Sequence, residues 1–131
     1  MNSLNEITGM INEDWEKIFH EEYNKIYFKK ILKKINNDYS SKIVFPQKNK
    51  IFKAFENPSF NGIKVLILGQ DPYHNIDHAN RLCFSVSKKT NLPPSLKNIF
   101  KELFEDINCS TNHGDLTSWT EQGVFLLNTS L

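Results

Sequence analysis

Gln70, Asp71, Pro72, Tyr73 and His74 follow directly behind a short apolar run, Val65–Leu68, that Gly69 closes. An amide, a carboxylate, a phenol and an imidazole this close together can support two kinds of chemistry. The first is metal binding, because Asp71, His74, Asp77 and His78 are closely spaced oxygen and nitrogen donors. They share one loop, lack a second set of ligands and match no recognised metal spacing. Solvent-exposed or hydrogen-bonded histidines are therefore the expectation, with no metal and no other cofactor. The second is metal-free recognition of a planar group. Asp71 supplies a carboxylate, Tyr73 and Phe84 supply aromatic faces, and Asn128 supplies an amide that donates and accepts side by side. An amide bonding two adjacent groups on a base edge, over a stacked aromatic, is how a flipped-out nucleobase is read. Plainer roles stay open to each: Tyr73 and Phe84 in a core, Asn128 in a turn. Their joint placement at two strand ends is what favours a site.

Val65–Leu68 is too short for a helix and shows no polar alternation, which predicts a strand buried on both faces of a parallel sheet. Ligands of open α/β sheets bind at the carboxyl ends of the strands. Asp71 precedes a proline, which pushes it toward extended geometry and holds its carboxylate in place. Leu82–Val86 is a second short apolar segment, and it carries Phe84. Pro93-Pro94-Ser95 marks a sharp helix start, and Leu96, Ile99, Phe100, Leu103, Phe104 and Ile107 then fall on one helix face. That N-terminus is either a rigid cap or, through free N–H groups and the Ser95 hydroxyl, a phosphate site. Asp115 is the expected cap of a short helix, Leu116–Gln122, ended by Gly123 in the left-handed conformation. Val124–Leu127 reads as a second buried strand. The order strand, helix, helix, strand predicts a parallel pair with a right-handed crossover, so that Asp71 and Asn128 face one crevice.

Ahead of this part, Asn12 or Asp14 caps a helix with Trp15, Ile18, Phe19, Tyr23, Ile26 and Tyr27 on its apolar face. The pattern continues through Ile31, Leu32 and Ile35, with a break expected near Glu22–Lys25. Lys29, Lys30, Lys33 and Lys34 read as a solvated face more readily than as a DNA-tracking one. Asn36–Lys42 is expected to turn, Lys48–Phe55 to form a short helix ended by Asn57-Pro58-Ser59, and Asn61-Gly62 to lead into the strand. A chain of 131 residues suits one domain, with 1–60 helical and 61–131 carrying the pocket. Ten phenylalanines allow a core, and a net charge of +1 casts no vote for a polyanionic partner. Cys83 and Cys109 lack metal spacing and read as reduced thiols. No apolar run reaches membrane-spanning length and no signal peptide is recognised, so a soluble, cytoplasmic protein is expected, with nuclear or organellar placement open.

Gly69-Gln70-Asp71-Pro72-Tyr73-His74 resembles the water-activating loop of the family 1 uracil-DNA glycosylases. Four further segments follow in that family's order: Leu82-Cys83-Phe84-Ser85-Val86, Pro93-Pro94-Ser95-Leu96-Lys97-Asn98, Asn112-His113-Gly114 with Leu116, Ser118 and Trp119, and Gln122-Gly123-Val124-Phe125-Leu126-Leu127-Asn128-Thr129. The resemblance runs from about Trp15 to Leu131. It implies a three-layer α/β/α fold around a parallel sheet, of which the N-terminal part is present. It implies hydrolysis of the N-glycosidic bond of uracil in single- or double-stranded DNA, by a monomer without cofactor. In that frame Asp71 orients the attacking water, Tyr73 excludes the thymine methyl, Phe84 stacks on the base and Asn128 bonds uracil O4 and N3–H. The Gln70 backbone helps hold the base. Pro93, Pro94 and Ser95 press on the DNA backbone, and His74 contacts phosphate or supports the loop.

Two departures stand out. The family has glycines and a proline after its Tyr-His, then Ala-His-Gly-Leu; this chain has Asn75-Ile76-Asp77-His78-Ala79-Asn80-Arg81-Leu82. Arg81 replaces a glycine beside the pocket, where it either reaches a phosphate or crowds the site. The chain also stops at Leu131, ahead of the family's His-Pro-Ser histidine and its leucine wedge. The expectation is a domain incomplete at its C-terminus, weak or inactive alone, or else a non-catalytic DNA- or uracil-binding remnant.

Overall fold

The computed structural model describes residues 7, 11–73 and 80–131. His74, Asp77 and His78 lie outside them. Helix α1 spans Glu13–Tyr23, and α2 spans Ile26–Ser41. Asn12 is the N-cap of α1, its Oδ1 accepting from the Asp14 N–H at 3.2 Å. The expected break falls at Asn24 and Lys25. Asn24 turns its amide back onto the His20 carbonyl at 3.2 Å, and Lys25 is extended. Lys29, Lys30, Lys33 and Lys34 are exposed, as expected of a solvated face.

Two local expectations are corrected. Asn36–Lys42 does not turn; α2 runs on to Ser41. The hydroxyls of Ser40 and Ser41 donate to the carbonyls of Asn36 and Asn37 at 2.8 Å, and Lys42 pairs with Asp38. Side chains that compete with a helix elsewhere here bond to its own backbone. Lys48–Phe55 is not one helix but two 3₁₀ turns, Lys48–Lys50 and Lys53–Phe55, and a third follows at Phe60–Gly62. Phe52 (φ −98°, ψ 27°) leaves helical geometry between the first two. In exchange Ala54 and Phe55 become buried.

These turns wrap Trp15. Its ring packs edge-on against Phe55 and Phe60 and tilted against Phe125, at centroid separations of 5.0–5.2 Å, while its Nε1–H donates to the Pro58 carbonyl at 2.9 Å. Burying an indole without a partner for its N–H would offset part of the gain.

Strand β1 is Val65–Gly69 and β2 is Val124–Asn128, joined by α3 (Pro94–Ile107) and α4 (Thr117–Glu121). They pair in parallel, Val65 against Val124 through Gly69 against Asn128. Phe125 meets the Trp15 cluster on one face, and on the other Val65, Ile67 and Val124 share a groove with Leu103, Ile107 and Trp119. Helical and turn elements thus flank both faces of a parallel pair, the layering that was expected. The expected two-sided burial is met only at β2, whose Phe125 and Leu126 are buried. Leu66 and Leu68 of β1 are each 56% exposed. The aromatic cluster sits over β2, and among the described residues β1 has a neighbour on one edge only.

The expected cap is corrected by one residue: Leu116 is the N-cap of α4, without a side-chain bond, and Asp115 stands before it, its Oδ1 accepting from the Thr117 N–H at 3.0 Å and hydroxyl at 2.6 Å. Burial works against its ionisation, but those bonds together with the charge of Lys88 hold the carboxyl below its usual value. Gly123, at φ +96°, turns the chain into β2, and its carbonyl accepts from Lys64 and Val65. A Cβ there would lie 2.6 Å from the Gly62 carbonyl oxygen. Gly123→Ala is therefore expected to lower stability by more than about 1 kcal/mol, read as a lower urea midpoint at unchanged m-value.

Candidate active site

The two strand ends build one recess. Gly69, Gln70, Asp71, Pro72 and Tyr73 leave β1, Cys83 and Phe84 come from the segment before α3, Ser95 from the first turn of α3, and Asn128 ends β2. Together they line a cavity of about 280 Å³. Gln70, Asp71, Tyr73, Phe84, Ser95 and Asn128, separated by up to 58 residues in sequence, are thereby brought together. Pro93 and Pro94 stand at the start of α3 but do not line the recess, and His74 lies outside the described residues.

The loop after β1 is tied down by the chain after β2. The Thr129 N–H donates to the Gly69 carbonyl at 2.9 Å. The Ser130 N–H and the Thr129 hydroxyl both donate to the Gln70 carbonyl, at 3.1 and 2.9 Å. The ladder thus extends beyond the strands, and Asp71 emerges from a fixed point. Asn128 is 7% exposed, with its side chain over Gly69. A Cβ on Gly69 would fall 2.3 Å from Cys83 Sγ and 2.7 Å from Asn128 Oδ1, so only glycine lets the amide occupy this place.

Phe84 has φ +62°, an outlier for an aromatic residue. Its neighbours impose it. Cys83, Ser85 and Val86 are buried, Cys83 N–H bonds the Leu126 carbonyl, and Val86 N–H bonds the Gly114 carbonyl at 2.9 Å. The Ser85 hydroxyl donates to that same Gly114 carbonyl and accepts from Leu116 N–H at 2.8 Å. With both flanks held, the ring is thrust into the recess, and such strain is found where a function fixes the side chain. The Tyr73 hydroxyl donates to the Phe84 carbonyl at 3.3 Å. Burial raises the Tyr73 pKa, with Cys83 adding to it, so the phenol keeps its proton at neutral pH.

Ser95 is the second residue of α3. Pro93 and Pro94 have no N–H, and Lys97 N–H already bonds Pro93, so Ser95 and Leu96 carry the first N–H groups without an intrahelical acceptor. The positive end of the helix dipole thus borders the recess.

Sequence reasoning had not placed Cys83 and Gly69 in the wall, although a glycine closing an apolar strand is a signal of close approach. Arg81 lies beside the pocket as expected, in an adjoining recess with Asp71 and Tyr73, whose wall Phe45 and Ser130 join without having been expected there. Phe45 carries no local signal, because its place depends on a long-range contact.

Burial pushes the Cys83 thiol up to about 11, whereas Cys109 is exposed. A thiol reagent at pH 8 is expected to titrate one cysteine in the native chain and two after denaturation. Two fast-reacting thiols in the folded protein would contradict this placement.

The chain also resembles known proteins. The uracil DNA glycosylase superfamily profile matches residues 58–131. A uracil-DNA glycosylase of Azobacteroides pseudotrichonymphae genomovar. CFP2 is 50% identical over 122 residues, covering 92% of this chain and 56% of that protein. One from Borreliella burgdorferi (strain ZS7) is 48% identical over 124 residues, with the same two coverages. The crystal structure of mimivirus uracil-DNA glycosylase superposes with a TM-score of 0.81 at 29% identity, over 92% of this chain and 47% of that one. The chain thus spans about half the length of the relatives it matches. On its sequence and its fold, the chain belongs to the uracil DNA glycosylase superfamily.

Proposed function

We propose that this chain carries the base-recognising and water-orienting part of a uracil-DNA glycosylase. The observation that carries the reading is the recess itself. The Asn128 amide sits over Gly69 in the same 280 Å³ as Asp71, Tyr73 and Phe84.

Uracil enters as a flipped-out base. Phe84 stacks on its face, Tyr73 fills the space beside C5 where thymine carries a methyl, and the Gln70 backbone helps hold the ring. Asn128 donates to O4 and accepts from N3–H. Cytosine presents the reverse pattern and would leave buried groups unpaired, a mismatch that discriminates by roughly 10⁴–10⁵. Asp71 orients a water toward C1′. As the C1′–N1 bond breaks, its electron pair leaves with uracil as an anion, and the carboxylate stabilises the positive charge that develops on the sugar. The water oxygen bonds C1′ and its proton passes to Asp71, leaving an abasic site. One carboxylate suffices where glycosidases commonly use two, because the base departs as an anion and needs no general acid. The Ser95 end of α3 borders the recess where a flanking phosphate is stabilised by the helix dipole. Pro93 and Pro94 brace that helix start, and His74 is assigned to the same backbone contact or to the loop. The substrate is uracil-containing DNA, and the setting is base-excision repair.

The test is release of uracil from a labelled single-stranded oligonucleotide in EDTA, read by alkaline cleavage, alongside binding to uracil- and thymine-containing strands. Weak, metal-independent release is the most that is expected of this chain, lowered further by Asp71→Asn, and Asn128→Ala is expected to erase the preference for uracil in binding. Preferential binding without release, unaffected by Asp71→Asn, would identify the non-catalytic reading. Neither release nor preference would sink both, and loss of release in EDTA would point to a metal.

A further inference from the structure

Arg81 has φ +68°, in the left-handed region that glycine favours and a long side chain rarely takes. It lines two cavities. One is the recess of about 280 Å³ beside the candidate active site, shared with Asp71, Tyr73 and Ser130. The other, of about 390 Å³, is bounded with Arg81 by Phe45, Gln47, Lys50, Lys53 and Asn80. Three cations therefore border one cavity whose wall continues toward the candidate site through Phe45 and Arg81.

Their charges are not equally available. Lys53 is paired with Glu56, but among the described residues no carboxylate pairs with Lys50 or Arg81. Burial disfavours the guanidinium charge and lowers the Arg81 pKa, with Tyr39 opposing it, yet a guanidinium stays protonated. A partly dehydrated cation beside an open cavity gains more from an anion than one in bulk water. The planar fork of arginine matches two oxygens of a phosphate, and the Gln47 amide adds an uncharged donor.

We propose that Arg81 and Lys50 form a phosphate subsite that takes a backbone phosphodiester of the strand whose base enters the candidate active site. The proposal rests on the base-binding reading above and adds a contact that the strand makes on leaving the pocket. The left-handed backbone at Arg81 is what aligns a side chain with both cavities, and the strain it carries is the kind that persists at functional positions.

The test is fluorescence anisotropy of the full chain with a labelled single strand carrying one uracil, and with its thymine counterpart, across sodium chloride concentrations. Arg81→Gly relieves the backbone strain, so weakened binding by that variant does not arise from misfolding. It is expected to weaken both strands about tenfold and to reduce the slope of log affinity against log salt by about 0.7, the share of one phosphate on a single strand. Adding Lys50→Gln removes a similar further share, Arg81→Lys retains the slope, and the uracil-to-thymine ratio is unchanged throughout. An unaltered slope in Arg81→Gly, with uracil preference intact, overturns the subsite and leaves the base pocket standing. A reduced slope with no uracil preference in the parent chain does the reverse. A parent chain that binds neither strand overturns both. Inorganic phosphate is expected to displace the strand from the parent chain better than chloride at equal ionic strength, and to lose that advantage in Arg81→Gly. Equal displacement by phosphate and chloride in the parent chain would overturn a phosphate-selective subsite at Arg81.

Discussion

The pairing of Gly69 with Asn128 at the carboxyl ends of two parallel strands is the constraint on which the site depends. Parallel pairing brings both chain exits to the same edge, and the absence of a Cβ at Gly69 lets the Asn128 amide close over its partner strand. From that point the bonds from Thr129 and Ser130 to the Gly69 and Gln70 carbonyls carry the pairing outward. A one-residue slip would exchange the two faces of the strand and move the amide away from Asp71 altogether. The aromatic cluster around Trp15 matters to the site mainly because it grips Phe125 and so sets where β2 ends.

The second determinant is strain placed between rigid neighbours. Phe84 and Arg81 both adopt left-handed geometry, and Leu82 and Cys83 between them are buried. Two unfavourable backbone conformations cost of order 1–3 kcal/mol each, and they are sustained because the flanking segment has no alternative seat. Val86 and Gly114 approach so closely that a Cβ on Gly114 would lie 2.4 Å from Val86 Cγ2. Ser85, with one hydroxyl serving two backbone groups, locks the same junction. Rigidity here positions a ring without help from its own rotamer preferences.

What could be read from the residues follows from the range of the interactions responsible. The strands at Val65 and Val124, the start of α3 at the paired prolines and the glycine turn at 123 are set by local chemistry, and each stands where expected. The Ser-rich end of α2 was misjudged because its side chains bond inward to their own helix. The segment before Phe55 was misjudged because burial of Ala54 and Phe55 outweighs helical continuity. Exposure of Leu66 and Leu68 was misjudged because an apolar run says what a strand suits, not what covers it. At the site, Asp71, Tyr73, Phe84 and Asn128 were legible as chemistry. Cys83 and Phe45 were not, because their place in the walls exists only after distant segments meet.

The open side of β1 also bears on how the protein behaves in solution. Ile63-Lys64-Val65-Leu66-Ile67-Leu68 combines high β propensity with a single charge and no proline, and Val65, Leu66 and Leu68 are more than half exposed. Among the described residues no strand pairs with the second edge of β1, and a strand of this composition with such an edge is a template for association with another copy of itself. Lys64 is the one residue in the segment whose charge opposes such stacking. The same apolar run that ends in the candidate active site is therefore also the segment of the described residues most suited to self-association.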